Sequence, residues 1–274
     1  ASPTFTLVSR YDGRLDLIHV DAYRLGGDEE LDLLGWDRLI AGDAVIAVSE
    51  AIREYTLHNY PVAPERVHLI HGGADPEAFP FGYRPSEAWF ERTYAEHPEL
   101  RERRWLCLPG RLSRYKGHET FINLLARLLP EYPALQAIVV GPGRPGSRYY
   151  DELVGLAQAG GIREHLTFTG ERLDIREWMA ASELVLSLCS DPPEAFGRTV
   201  LEALYLGRPV VGWNHGGVAE ILARCYPFGA VPPGNADAPS RARPHDTPCR
   251  TTCRSGTRAI SSLWHATRPA TSQP

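Results

Sequence analysis

The sequence predicts an α/β fold built on a parallel sheet. Three observations carry that expectation. Between 105 and 231, five short apolar runs alternate with stretches of helical periodicity. Each run is nearly continuous in apolar residues, as in strands covered on both faces. Glycine-bearing turns follow several of the runs, where strands of an open parallel sheet pass into helices. The expected strands are WLCLPG, LQAIVVGPG, LTFTG, ELVLSL and PVVGW. Between the first two, HETFINLLARLLPEY sets Phe121, Leu124, Leu125, Leu128 and Leu129 at helical spacing, and Pro130 and Pro133 help end that helix. Further helices are expected at YDELVGLAQA, IREWMAAS, TVLEALYLG and VAEILA, with Gly207 and Pro209 as a stop after TVLEALYL. Together these define a Rossmann-like domain at 101–236.

Composition bounds the chain more loosely. Its 274 residues are 43% hydrophobic and 23% charged, with net charge −5, which gives ample apolar material for a core in one large or two small domains. No apolar run approaches the roughly 20 residues of a membrane span, and no signal peptide opens the chain, so a cytoplasmic location is expected. Five cysteines without framework spacing are expected as reduced thiols. Cys107 and Cys189 fall in apolar runs and read as buried filler. Cys249 and Cys253, near His245, lack the spacing and the second pair of an ordinary zinc site, so no metal and no cofactor are expected.

Of the 29 basic residues only one is lysine, Lys116, inside GRLSRYKG. A chain that uses arginine for generic positive charge, yet keeps one lysine in a glycine-flanked turn, points to a phosphate. Gly110 lets the backbone turn tightly after the first strand, Arg111 offers a planar fork for oxygens, and Lys116 adds a mobile point charge. A solvated basic turn is the competing reading. GPGRPG, beginning at Gly141, follows the second strand and permits close approach of a ligand, although such turns are common. TGER, ending at Arg172, follows the third. In EAFGRTVLE, a loop with Phe196 and Gly197 leads into a helix whose first turn holds Arg198 and Thr199. That helix start is a ready anion site, with Gly197 removing the side chain where a phosphate would approach. Seven residues separate Glu194, before the helix, from Glu202, about one turn inside it.

GRLSRYKG, the two glutamates, GRPVV and HGGVAE together resemble, in their order, the retaining GT-B glycosyltransferases of family 4. The resemblance covers about 43–236 and implies a hexosyltransferase that moves a sugar from a nucleotide-diphosphate sugar to an unidentified sugar or glycolipid acceptor. Peripheral membrane contact is compatible with it, and nucleic acid is not an expected partner. It implies that Arg111 and Lys116 bind the diphosphate, that Glu194 holds hydroxyls of the donor sugar, and that Glu202 accepts hydrogen bonds from ribose. It further implies a base lying beside the TGER segment and a front-face route in which the leaving phosphate helps deprotonate the acceptor. His215, in HGGVAE, reads equally as a loop histidine or a ligand contact.

The ends of the chain read differently. DAVIAVSEAIREY through VHLIHGGAD resembles the end of the same family's acceptor-side domain, with Ser49 and Glu50 in its VSE turn. The expectation for 43–100 is therefore a remnant of that domain and a linker, leaving the first GT-B domain incomplete. SPTFTLV, HVDAYRL and EELDLLGWD, within 1–42, resemble the central part of the bacterial ATPase of tRNA threonylcarbamoyladenosine modification. That family pattern sets Thr4 in a nucleotide-responsive segment and Asp21 near metal and phosphates. The G-x-x-x-x-G-K-[ST] phosphate loop occurs nowhere in the chain, so ATP hydrolysis, and with it a role as an ATP-dependent tRNA-modification accessory, is not expected. From 237 onward apolar periodicity ends, and six arginines lie among Ser, Thr and Pro, the composition of a disordered, non-native tail. Two function classes follow: a glycosyltransferase, or an inactive donor-binding fragment or chimera.

Overall fold

Apolar alternation in the sequence becomes two compact units, dividing between His71 and Gly72, in this computed structural model, which describes residues 8–11, 17–20 and 44–233. In the first unit, β1 (Val8–Tyr11) and β2 (Leu17–Val20) pair antiparallel. Strands β3 (Val45–Ala47) and β4 (Val67–Leu69) pair in parallel across helix α1 (Glu50–Asn59). The VSE turn explains where α1 starts. The Ser49 side chain accepts from the Ile52 N–H at 3.2 Å, and Glu50 places a negative charge in the first turn. A small core of Ala47, Val62 and Val67 sits beneath the helix, while Ile46, Leu69 and Ile70 stay exposed. Thr4 and Asp21 lie outside the described residues, as do 237–274 with His245, Cys249 and Cys253.

The second unit opens with α2 (Glu87–Glu96). It continues through β5 (Arg104–Pro109), α3 (His118–Leu128), β6 (Leu135–Val140), α4 (Arg148–Ala159), β7 (Leu166–Gly170), α5 (Ile175–Ala181), β8 (Leu184–Ser187), α6 (Arg198–Tyr205), β9 (Val210–Trp213), α7 (Gly216–Cys225) and β10 (Ala230–Val231). All five expected strands and all five expected helices are present. The six strands form one parallel sheet in the order β10-β9-β8-β5-β6-β7.

Period-two alternation sends each strand's residues to two cores. Leu106 and Leu108 of β5 pack with Phe121, Leu124, Leu125 and Leu128 of α3 and with Leu153 of α4. Trp105 and Cys107 face the other way, toward Trp178 of α5, Val200 of α6, Leu222 of α7 and Trp89 of α2. Both faces are thus covered, which is why the strands read as continuous apolar runs. Residues 72–100 belong to the second unit. Trp89 meets Trp178 edge-on with centroids 5.3 Å apart, and Trp105 stacks on Trp178 at 5.8 Å. Strand order reverses at the β5–β8 pair, since β5 runs on to β6 and β7 while β8 runs on to β9 and β10. In open parallel sheets the crevice beyond the carboxyl ends of such a pair is where ligands bind.

Candidate functional site

Lys116 and Glu194 meet at that crevice. The turn after β5 carries Gly110, Arg111, Tyr115 and Lys116; the loop after β8 carries Cys189, Ser190 and Glu194. Backbone geometry closes one loop on the other. The Ser190 N–H donates to the Tyr115 carbonyl at 2.9 Å. Gly117 caps α3 with φ of +80°, and a Cβ there would lie 2.2 Å from the Leu188 carbonyl oxygen, so this junction requires glycine. On the far side, the Gly217 N–H donates to the Glu194 carbonyl at 2.9 Å, and a His215 ring nitrogen lies 2.7 Å from the Cys189 carbonyl. That contact sets His215 against the loop that carries Glu194.

The Lys116 ammonium lies 2.6 Å from Glu194 Oε2, and both side chains are largely buried. Burial is the largest single influence and lowers the lysine pKa, but the Glu194 carboxylate, with Cys189 and Tyr115 adding to it, outweighs burial and the net shift is upward. Burial likewise acts to raise Glu194, yet Lys116 holds it below the usual carboxylate range, with Arg111 adding to that effect. The pair is therefore ionised. Cys189 is buried as expected, but it is more than filler: its thiol donates to Glu194 Oε2 at 2.8 Å. Burial first, then the Glu194 charge, push that thiol up to about 12, so it remains a proton donor.

The remaining expected residues divide into those beside this pair and those turned elsewhere. Arg111 is exposed, donates to the Tyr115 hydroxyl at 2.8 Å, and shares the Tyr115 ring with Lys116. Gly110 and Gly141 follow β5 and β6; the Gly110 N–H donates to the Val140 carbonyl and that of Gly141 to the Gly170 carbonyl. Gly197 caps α6 in the left-handed region, φ +92°, with Val218 where a Cβ would be. Arg198 is exposed and Thr199 half-buried in the first turn of α6. Glu202 is buried one turn on, 3.2 Å from Arg198 Nε. Its burial raises its pKa, and Arg198 offsets only part of that. Phe196 packs into the core face and against Gly72. Arg172 turns its side chain away to Glu96 and over Trp178.

Sequence reasoning passed over Tyr115, the Cys189 thiol and Glu96. Tyr115 lies inside the motif and could have been found there. The other two act through single contacts that leave no spacing signal. Among the described residues no group of three His, Cys, Asp or Glu side chains is placed to hold a metal ion, and no helix is long and apolar enough to cross a membrane.

The pairing makes a direct prediction. Glu194→Gln leaves a largely buried ammonium without its carboxylate and should cost about 1–3 kcal/mol, between the values for exposed and buried pairs. Because the folded pKa of Glu194 is depressed, its contribution is present above the ordinary value of 4.5 and falls away as pH drops through the lower folded value. Urea unfolding from neutral to acid pH should show that loss in the wild type and not in Glu194→Gln. Identical acid profiles would refute the pairing.

Comparison with known proteins agrees with the fold. The chain is 29% identical over 191 residues to the lipopolysaccharide core biosynthesis mannosyltransferase LpsB of Rhizobium meliloti, covering 69% of this chain and 50% of that protein. It is 30% identical over 189 residues to alpha-maltose-1-phosphate synthase of Mycolicibacterium smegmatis, covering 67% and 46%. Among solved structures, Anabaena HepE in complex with UDP and glucose matches with a TM-score of 0.58 and 29% identity, over 66% of this chain and 47% of that one. The chain thus spans about half the length of these relatives. Its structural neighbours are GT-B glycosyltransferases. The family model described as threonylcarbamoyl adenosine biosynthesis protein TsaE matches residues 1–71, which include the stretch that resembles that ATPase. The model described as glycosyl transferases group 1 matches residues 91–242, more than half of the chain, and contains the whole Lys116–Glu194 site. The chain belongs to the glycosyl transferases group 1 family.

Proposed function

We propose that the second unit is the donor site of a retaining glycosyltransferase that takes its sugar from a nucleoside-diphosphate sugar. The observation that carries this is the meeting of the only lysine with Glu194 at the strand-order reversal, beside the start of α6. An ammonium has three protons to donate, so Lys116 can keep Glu194 and still hold a phosphate oxygen. Arg111 adds a second cation, and the first-turn amides of α6 a third source of positive potential. As the glycosidic bond breaks, negative charge grows on the diphosphate, and positive groups already in place stabilise that state more than the ground state. UDP and glucose in the related HepE complex support a nucleotide-sugar donor.

Glu194 then serves as a fixed acceptor for sugar hydroxyls. Its depressed pKa suits that role and disfavours the protonated acid of a glycosidase-type carboxylate pair. Without such a nucleophile, retention follows a front-face route in which the leaving phosphate takes the acceptor's proton. Glu202 serves the ribose, and the acceptor belongs to the sugar or glycolipid class. Acceptor-dependent transfer in a single turnover at saturating nucleotide sugar, with the anomeric configuration of the product read by NMR, tests the whole reading. Inversion at the anomeric carbon would refute retention.

Two substitutions test the parts. Lys116→Ala should weaken nucleoside-diphosphate binding about tenfold to a hundredfold, the size of a charge-assisted hydrogen bond, while the fold persists. Unchanged affinity would remove Lys116 from the site. Glu202→Gln should weaken a ribonucleoside diphosphate more than its 2′,3′-dideoxy analogue, which cannot make the bond. Since the Glu202 pKa is raised, the ribonucleotide's advantage should shrink on acidification already above the ordinary carboxylate range, and Glu202→Gln should abolish that pH dependence. Equal losses for both ligands would make Glu202 a tether of its own helix.

A further inference from the structure

We propose that residues 78–97 form a strap that sets nucleobase recognition by holding the β7–α5 loop, with Glu96 and Trp89 as positioning residues. The proposal rests on the donor reading above and extends it to the end of the ligand farthest from the sugar.

Six hydrogen-bonded residue pairs join the strap to that loop and to the helix after it, among them Arg172 Nη2 with His97 Nε2 at 3.1 Å and Arg176 Nη2 donating to the Tyr83 hydroxyl at 3.3 Å. Arg172 donates through Nη1 to Glu96 Oε2 at 3.0 Å, and through Nη2 to Glu96 Oε1. Its Nε returns to the Thr169 carbonyl at 3.0 Å, and the guanidinium lies over Trp178, 5.5 Å from the ring centroid. On the other side of Leu173, Asp174 accepts from Trp89 Nε1 at 2.7 Å and from Trp178 Nε1 at 3.3 Å. The Tyr83 hydroxyl donates to Glu177 at 2.8 Å, and Arg176 donates to the Ala78 carbonyl at 3.2 Å.

The effect on the loop is specific. Arg172 and Asp174, on either side of Leu173, are both drawn to the strap, and Leu173 between them is fully exposed. Strands β5, β6 and β7 are neighbours, and their exits are hydrogen-bonded in series: Gly110 N–H to the Val140 carbonyl, then Gly141 N–H to the Gly170 carbonyl. A lip of backbone therefore runs from the Arg111–Lys116 turn to Leu173. A diphosphate at its first end can carry a base to its second. Base recognition there falls to loop amides, carbonyls and the Leu173 side chain, because the Arg172 side chain is already engaged. Such contacts discriminate only if the loop is held in one conformation beforehand. Glu96 reaches that loop through Arg172, and Trp89 reaches it through Asp174.

A merely structural strap would alter stability without sorting ligands by their base. Calorimetry with UDP, GDP, ADP and inorganic pyrophosphate on wild type, Glu96→Gln, Glu96→Asp and Trp89→Phe separates the two, with thermal unfolding as a check on each variant. Trp89→Phe keeps a ring in the core while removing the donor to Asp174. Glu96→Gln and Trp89→Phe should each weaken the preferred nucleoside diphosphate about threefold to fivefold, the scale of one partly exposed polar contact. Both should bring the three bases closer in affinity and leave pyrophosphate unchanged, and Glu96→Asp should restore most of the preference. Unchanged nucleoside-diphosphate affinity, or equal losses for it and pyrophosphate, would overturn the strap and leave the phosphate site standing. Wild-type protein that binds neither pyrophosphate nor any of the three nucleotides would overturn the donor reading and this proposal with it.

Discussion

Adjacent parallel strands β5 and β8 deliver their exit loops into the same space, and there the two loops must close on each other without filling the crevice. Three contacts meet that constraint. Gly117 passes against the Leu188 carbonyl where no Cβ fits, the Ser190 N–H reaches the Tyr115 carbonyl, and Lys116 pairs with Glu194. The first two bring the loops together through backbone alone. The third places two opposite charges where water is largely excluded, and each keeps the other ionised. Cys189 adds a neutral donor to the same carboxylate oxygen, restricting Glu194 further. Without the lysine, Glu194 would be a buried carboxylate pushed toward neutrality; without the glutamate, the lysine would lose the charge that offsets its own desolvation.

Most of the second unit was legible in the sequence because its determinants are local or periodic. The runs around Trp105, Leu135, Leu166, Leu184 and Val210 announced doubly covered strands, and the spacing from Phe121 to Leu128 announced α3. Gly117 and Gly197 marked turns that the fold closes tightly. Lys116 and Glu194 could be named by composition and motif, although their direct contact could not, because they lie 78 positions apart. The two-residue strand β10 was too short to announce itself. The strap was hidden for another reason. Trp89, Tyr83 and Glu96 act through contacts 76 to 94 residues away, and the helix that carries two of them reads as linker when its partners are unknown. Arg172 shows the same limit from the opposite side: its place beside the loop was foreseen, while its side chain answers to Glu96.

The first unit carries two resemblances along one stretch. The threonylcarbamoyl adenosine family model extends over residues 1–71, while β3, α1 and β4 arise from the segment that resembles the end of a glycosyltransferase acceptor-side domain. Ser49 and Glu50 explain the start of α1 whichever family the segment derives from, since a cap and a first-turn acid are local devices. The exposed apolar side chains of Ile46, Leu69 and Ile70 follow from a parallel pair only three residues long on each strand. The second unit carries its own sheet, both cores and every residue assigned to the donor.

Because the chain has a single lysine, side-chain ¹⁵N labelling of lysine gives one ammonium resonance, that of Lys116. It reports the central pairing directly. The resonance should persist as a charged ammonium to higher pH than an ordinary lysine, shift when Glu194 is changed to Gln, and shift again when a nucleoside diphosphate is added to the wild-type protein. An ammonium that titrates like a free lysine, ignores the Glu194 substitution and stays unmoved by a nucleotide that calorimetry shows to be bound would contradict the account.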